Sequence, residues 1–174
     1  DEYYMRIALS EAKEAFLKDE IPIGAIVVAN DRIIAKTHNL TEQLHDVTAH
    51  AEMQAITAAA NAIGGKYLKN CTLYLTIEPC QMCAGALYWS QISKIVVGSR
   101  DNKRGFETMG GQLHPKTELV YGVLEEECRQ LIRRFITFNT QHRPFITLKW
   151  AESADGFIDL HRTGGHPYIF SSPL

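Results

Sequence analysis

The sequence predicts an α/β fold: a mixed five-stranded sheet with helices on both faces, in three layers. Three observations carry that reading. Short β-branched and apolar runs alternate with longer stretches of helical periodicity. A polar turn pair joins two apolar runs early in the chain, which opens the sheet with a hairpin. Midway, a strand, a helix and a strand follow one another directly, so a right-handed parallel crossover is the default connection. At 174 residues the chain suits one domain with a sizeable core.

From Glu2 to Lys18, the residues Tyr4, Ile7, Ala8, Ala12, Ala15 and Phe16 recur at helical spacing with charges between them, the pattern of a packing helix. Ile21 to Val28 and Arg32 to Ala35 flank Asn30-Asp31 and form the hairpin. Lys36 to Leu40 is polar and leads into a loop. A small-residue helix follows over 50–62, stopped by Gly64-Gly65. Cys71 to Ile77 is a strand that runs straight into Glu78-Pro79-Cys80. A helix over 81–90, strands over Ile92 to Gly98 and Glu118 to Val123, and a closing helix from Leu124 to Phe138 complete a domain expected over 1–138. Residues 139–174 form an extension. Its apolar run, Phe145 to Trp150, reads as a strand with no complete domain to bury it; edge addition to a sheet, packing across a dimer and disorder all stay open.

With 45% hydrophobic and 22% charged residues, the composition is that of an ordinary soluble globular protein. No apolar run approaches the roughly 20 residues that span a bilayer, and the acidic start Asp1-Glu2 is unlike a signal peptide. The net charge of −2 speaks against indiscriminate nucleic-acid binding, while leaving room for a local basic patch with a structured RNA partner. Of four cysteines, two belong to a metal motif and Cys71 and Cys128 read as packing residues. No disulfide framework is implied, and a cytoplasmic, reducing location is the expectation.

The metal motif organises the chain. His50-Ala51-Glu52 has the form H-x-E, and Pro79-Cys80-Gln81-Met82-Cys83 the form P-C-x-x-C. One imidazole and two thiolates make three Zn²⁺ ligands, leaving the fourth tetrahedral position for water, as a catalytic site requires. Alone, either half is weak: a C-x-x-C also serves structural zinc and redox pairs. Joined, each half opens a helix, so two positive helix ends converge where thiolate and carboxylate charge gathers. Glu52, two residues from a ligand, can shuttle protons without coordinating. This pattern resembles the established signature of zinc-dependent nucleobase deaminases, whose chemistry is applied here.

Other candidates have two readings each. Asn39 is either a turn former or a base-edge hydrogen bonder at the pocket mouth, since an amide both donates and accepts. His38 and His45 lack ligand spacing and read as solvated loop histidines. The run Ser99 to Phe106 holds Arg100, Lys103 and Arg104 with one aromatic. It is either a solvated loop or an RNA contact in which the cations meet phosphate and Phe106 stacks on a splayed base.

Residues about 1–120 resemble the bacterial tRNA adenosine deaminases of the TadA type, within the cytidine deaminase superfamily. The residues that carry the resemblance are Glu20 to Ala25, His38-Asn39, Thr48 to Met53, Leu75 to Ala86 and Asp101 to Gly105. It implies a cytidine-deaminase-like fold, a homodimer with one zinc per subunit, and conversion of adenosine to inosine at the wobble position of a tRNA anticodon stem-loop. It assigns His50, Cys80 and Cys83 to zinc and Glu52 to proton transfer. Asn39 falls on the flipped base, Asp101 near the ribose, and Pro22, Ile23 and Ala51 at the pocket. From about Val123 the chain resembles instead the bifunctional riboflavin-biosynthesis deaminase/reductase, over Gly122 to Cys128 and Arg143 to Gly156. About thirty residues of a reductase domain fall far below domain size, so reductase activity is not expected. The closing helix carries Arg129, Arg133 and Arg134 behind Glu125, Glu126 and Glu127, either a mixed-charge surface or an RNA contact. Rival functions are deamination of a free base or nucleotide (guanine, cytosine or the riboflavin-pathway pyrimidine) and a non-catalytic RNA-binding module with structural zinc. The intact Glu52 speaks against the latter.

Overall fold

The computed structural model describes residues 1–141 and 144–146. The chain divides into two compact units, 1–143 and 144–174, and the elements named here all lie in the first. They run α1 (Glu2–Leu17), β1 (Gly24–Ala29), β2 (Arg32–His38), α2 (Thr41–Leu44), α3 (Ala51–Ile63), β3 (Cys71–Ile77), α4 (Gln81–Ser90), β4 (Lys94–Ser99), β5 (Glu118–Tyr121) and α5 (Glu125–Gln141).

Strand alternation decides the layers. On one face Ala25, Val27, Leu73, Leu75, Ile95 and Val97 pack with Ala51, Ala55 and Ala59 of α3 and Leu87 of α4. On the other, Ile26, Val28, Tyr74 and Val96 pack with Met5, Ala8, Leu9 and Ala12 of α1 and with Cys128 and Leu131 of α5. This is the expected three-layer arrangement, with small residues letting α3 lie close to the sheet. Cys71 and Cys128 are the buried packing residues they were expected to be.

The strand order is β2-β1-β3-β4-β5. Pairs β1–β2 and β1–β3 are antiparallel, and β3–β4 and β4–β5 are parallel, so the sheet is mixed. The register places Gly24 opposite His38, Ala25 opposite Leu75 and Ile77 opposite Ser99. Strands β2, β3 and β4 therefore end at one edge, where β1 begins. That edge collects the segments around 22–23, 39–50, 78–83 and 100–106, the crevice position typical of α/β sheets.

The element boundaries differ from expectation in instructive ways. Asn30 and Asp31 both take positive φ (49° and 57°), as a tight hairpin turn requires, and β2 then runs on to His38. Ile92 is buried without belonging to β4, which begins at Lys94. Gly122, at φ 87°, ends β5 two residues early. Helix α5 continues to Gln141, past the expected boundary at 138. Of the expected tail strand only Phe145 and Ile146 are described, and everything from 147 onward lies outside the described residues.

Candidate active site

Two helix starts meet at the sheet edge. His50 is the N-cap of α3 and Cys80 the N-cap of α4, both with extended backbone, while Cys83 lies in the first turn of α4. His50 Nδ1 stands 3.7 Å from Cys80 Sγ and 3.5 Å from Cys83 Sγ. Ligand bonds of about 2.3 Å to sulfur and about 2.0 Å to nitrogen, at a tetrahedral angle, set those atoms about 3.5 Å apart. The three donor atoms lie within 4.8 Å of one another. Geometry and donor chemistry thus fit a tetrahedral zinc with Nδ1 as the histidine ligand.

Charge points the same way. Two adjacent sulfurs cannot both ionise cheaply on their own. The bond to Cys83, with help from His50, holds the Cys80 thiol down to about 4. That same bond, with burial, pushes Cys83 far above its usual range. The hydrogen bond to Cys80 raises His50. Such a split pair is relieved by a dication, which favours both thiolates and a neutral imidazole.

Glu52 lies in the first turn of α3 and is 2% exposed. Its Oε2 is sealed from solvent and has no hydrogen-bond partner among the described residues. Burial pushes its carboxyl up to about 7, opposed by its own backbone N–H and the nearby His50. A carboxyl that titrates near neutrality can both take and return a proton.

Ala51 is buried beside these groups, Pro22 is buried and Ile23 half-buried. Asn39 is 1% exposed. Its N–H donates to the Ile23 carbonyl (3.1 Å), and the next residue, Leu40, donates to Ala49 (3.0 Å), so it stands beside the start of α3. Its Nδ2 donates to Glu20 Oε2 at 2.9 Å and Thr41 Oγ1 at 2.8 Å.

The 100–107 loop is tied to the cysteine loop. Gly105 bridges to Cys80, and the Phe106 N–H donates to the Pro79 carbonyl at 2.9 Å. Buried Glu78 accepts the N–H groups of Asp101 (3.1 Å) and Glu107 (3.2 Å). A Cβ on Gly105 would come within 2.4 Å of the Glu78 carboxyl carbon, so only glycine allows this approach. Asp101 Oδ1 accepts from the N–H groups of Lys103 and Arg104, both at 3.0 Å. Lys103 and Arg104 are exposed. Arg100 is engaged: it pairs with Glu107 and lies 3.8 Å over the Tyr121 ring.

Several expectations need correction. Phe106 is 4% exposed, so its ring is a core group and not a stacking platform. The bridge to Cys80 turns that part of the loop inward, where an apolar ring gains from burial. His38 is no solvated loop residue: it ends β2, half-buried, with Nδ1 3.0 Å from Glu11 Oε2. His45 is exposed and closes α2 at φ 50°. In α5, Arg129 pairs with Glu125 and Glu126. Sequence reasoning gave no role to Glu20 or Glu78, both buried carboxylates next to site residues. The available signal was their place beside an apolar run and a proline, where a solvated charge is out of keeping.

Comparison with known proteins defines the class first. Residues 1–99 match the model of the cytidine and deoxycytidylate deaminase zinc-binding region. The chain is 45% identical over 141 residues to the tRNA-specific adenosine deaminase of Bacillus subtilis, covering 78% of this chain and 88% of that protein. A solved structure from work on A-to-I editing by tRNA:A34 deaminases superposes with a TM-score of 0.70 at 38% identity, over 74% of this chain and 98% of that one. The chain belongs to this zinc-binding deaminase family, within its tRNA-specific adenosine deaminase group. The Thermotoga maritima diaminohydroxyphosphoribosylaminopyrimidine deaminase/5-amino-6-(5-phosphoribosylamino)uracil reductase is also similar, with TM-score 0.64 and 34% identity over 88% of this chain and 45% of that one.

Proposed function

We propose that this protein hydrolytically deaminates adenosine to inosine at the wobble position of tRNA. The observation that carries the reading is the 88% coverage of a tRNA-specific adenosine deaminase at 45% identity, joined to the donor triad beside a buried carboxylate with one unpartnered oxygen. His50 Nδ1, Cys80 and Cys83 would hold zinc. When bound, that ion supplies a Lewis acid that makes water nucleophilic at neutral pH. Glu52 takes the proton that water gives up and returns it to the departing amine, so that ammonia leaves as C6 gains oxygen. Pro22, Ile23 and Ala51 wall the pocket, Asn39 hydrogen-bonds the substrate nucleoside, and Asp101 lies towards its ribose. A base reaches such a recess only when unstacked, which favours a single-stranded loop.

The partners are the tRNA anticodon stem-loop and a second copy of the chain. Exposed apolar groups support the dimer: Trp89 is 76% exposed, with Tyr67, Ile63 and Met82 also open on or beside α3 and α4. The four free cysteines agree with a cytoplasmic setting. No helix of the described residues is long and apolar enough to cross a membrane. The kinship of the C-terminal stretch with the bifunctional riboflavin enzyme rests on the residues Gly122 to Cys128 and Arg143 to Gly156 alone.

The test is incubation of zinc-loaded protein with an anticodon stem-loop bearing adenosine at the wobble position, read as inosine by nucleoside mass spectrometry. Absence of inosine from protein carrying one zinc per chain overturns the substrate. Turnover of free guanine or cytosine instead would move the assignment to a small-molecule deaminase.

A further inference from the structure

Glu20 follows α1 in the turn before β1 and is 0% exposed, yet it enters no ion pair among the described residues. Its two oxygens have separate duties. Oε1 accepts the N–H groups of Glu42 (3.0 Å) and Gln43 (2.8 Å), the free donors at the start of α2. Oε2 accepts Asn39 Nδ2 at 2.9 Å and Thr41 Oγ1 at 3.2 Å. Burial alone would raise this carboxyl, but the bonds from Gln43, Glu42, Asn39 and Thr41 outweigh it and hold it below the usual range. Glu20 is therefore ionised, and an ionised carboxylate only accepts.

That constraint propagates to Asn39. Its amide must turn NH2, not oxygen, toward Glu20. Thr41 gives its own proton to Glu20, so what it offers Asn39 Nδ2, 2.8 Å away, is a lone pair. Both amide protons are then committed. Oδ1 is the polar atom of the side chain with no partner among the described residues.

We infer that Glu20 is a positioning residue that fixes the polarity of Asn39, presenting the substrate with a carbonyl oxygen and never an N–H. The substrate must then bring a donor to that point, of the class of a sugar hydroxyl or an exocyclic amine. The inference rests on the reading that Asn39 faces the substrate, and it adds a residue that the proposed mechanism does not use.

Glu20→Gln tests the polarity with little change of shape. The new amide keeps its oxygen on the Glu42 and Gln43 donors and turns its NH2 toward Asn39. Asn39 must then rotate its oxygen inward and expose NH2. In Glu20→Gln/Asn39→Asp, the glutamine donates to one aspartate oxygen and leaves the other facing outward, so an acceptor is restored. On the wobble-adenosine stem-loop, Asn39→Ala and Glu20→Gln should each lower kcat/KM about 10- to 100-fold, the range for a lost hydrogen bond that strands a polar group. The double variant should regain most of the Glu20→Gln loss, a recovery that a merely structural role would not give. Full activity in Glu20→Gln, or a double variant no better than Glu20→Gln, overturns the inference provided Asn39→Ala is impaired. Full activity in Asn39→Ala overturns instead the reading on which it rests. A measurement on the wild-type chain stands apart from variant folding: the Asn39 side-chain NH2 should exchange slowly with water by NMR, and fast exchange of either proton counts against the inference.

Discussion

The turn after α1 and the first turn of α3 each bury one carboxylate, and the two behave oppositely. Glu20 receives bonds at both oxygens and is held below its usual range. Glu52 is equally sealed, yet its Oε2 has no partner among the described residues and its carboxyl is pushed up to about 7. Burial is common to both, so burial does not make an acid reactive. What separates them is saturation: a carboxylate whose acceptors are filled is a fixed strut, and one left unfilled in the same dielectric is free to exchange protons. In the proposed mechanism the first kind holds the site and the second does the chemistry.

The largest effect expected from breaking this contrast lies at Glu52. Glu52→Gln should lower kcat by about 10²- to 10⁴-fold, the usual worth of a positioned general acid and base. Zinc content should stay at one per chain and the melting temperature should not fall, since in the proposed mechanism Glu52 serves proton exchange and its Oε2 makes no structural bond among the described residues. Glu20→Ala should do the reverse to the fold. It strands the Glu42 and Gln43 donors and should cost about 2–4 kcal/mol in urea unfolding. Equal stability losses at the two positions would erase the distinction.

pH sharpens the same comparison, because the two carboxyls shift in opposite directions. Glu52 is raised from 4.5 to about 7. Its contribution in metal-free protein is full below about pH 4.5 and is lost as pH rises through 7, a change of about 3–4 kcal/mol. Glu20 is lowered, so its contribution is present above the unfolded carboxyl range and is lost as pH falls through its folded value. Chelated wild-type protein should therefore lose stability relative to Glu52→Gln between pH 4.5 and 7.5, read as urea midpoints. Against Glu20→Gln it should lose its advantage only on acidification. Parallel pH curves for wild type and Glu52→Gln would show that Glu52 is not perturbed in the metal-free fold.

Legibility from sequence follows the same division. His50, Cys80, Cys83 and Glu52 stood out because metal-ligand chemistry resides in a few residue types at fixed spacing, and the structure brings all four to one edge. Helix α1 was legible from periodicity, the strands from short β-branched and apolar runs, and α3 and α4 from their small residues. Glu20 and Glu78 were not, because a carboxylate buried against backbone N–H groups looks, in one letter, like any surface acid. Helix α2, four residues long, is too short to show a period; its start is held from outside, by Glu20. Phe106 misled because its neighbours in sequence are cations, whereas its neighbours in space are the Cys80 loop. Truncating it should accordingly act on the fold: Phe106→Ala should cost about 3–5 kcal/mol, as buried aromatic deletions do. A loss below 1 kcal/mol, together with a raised KM for RNA, would return the ring to the surface role first expected of it.

The smallest effects belong to the exposed tip of the same loop. Lys103 and Arg104 are solvent-exposed, and Asp101 holds only their backbone, so neither side chain supports the site. Arg100, paired with Glu107 and stacked on Tyr121, has less freedom to leave for phosphate. If the tip meets the RNA backbone, each cation acts through screened charge and counterion release and should be worth only a few-fold. Lys103→Ala/Arg104→Ala should then raise KM for the stem-loop about 3- to 10-fold at physiological salt, with kcat held. The dependence of log KM on log salt should flatten by one to two counterions. A drop in kcat at saturating RNA would instead tie the tip to the chemistry, through the Glu78 and Gly105 contacts that join this loop to Cys80. An unchanged salt slope would mean that the two cations face only water in the complex.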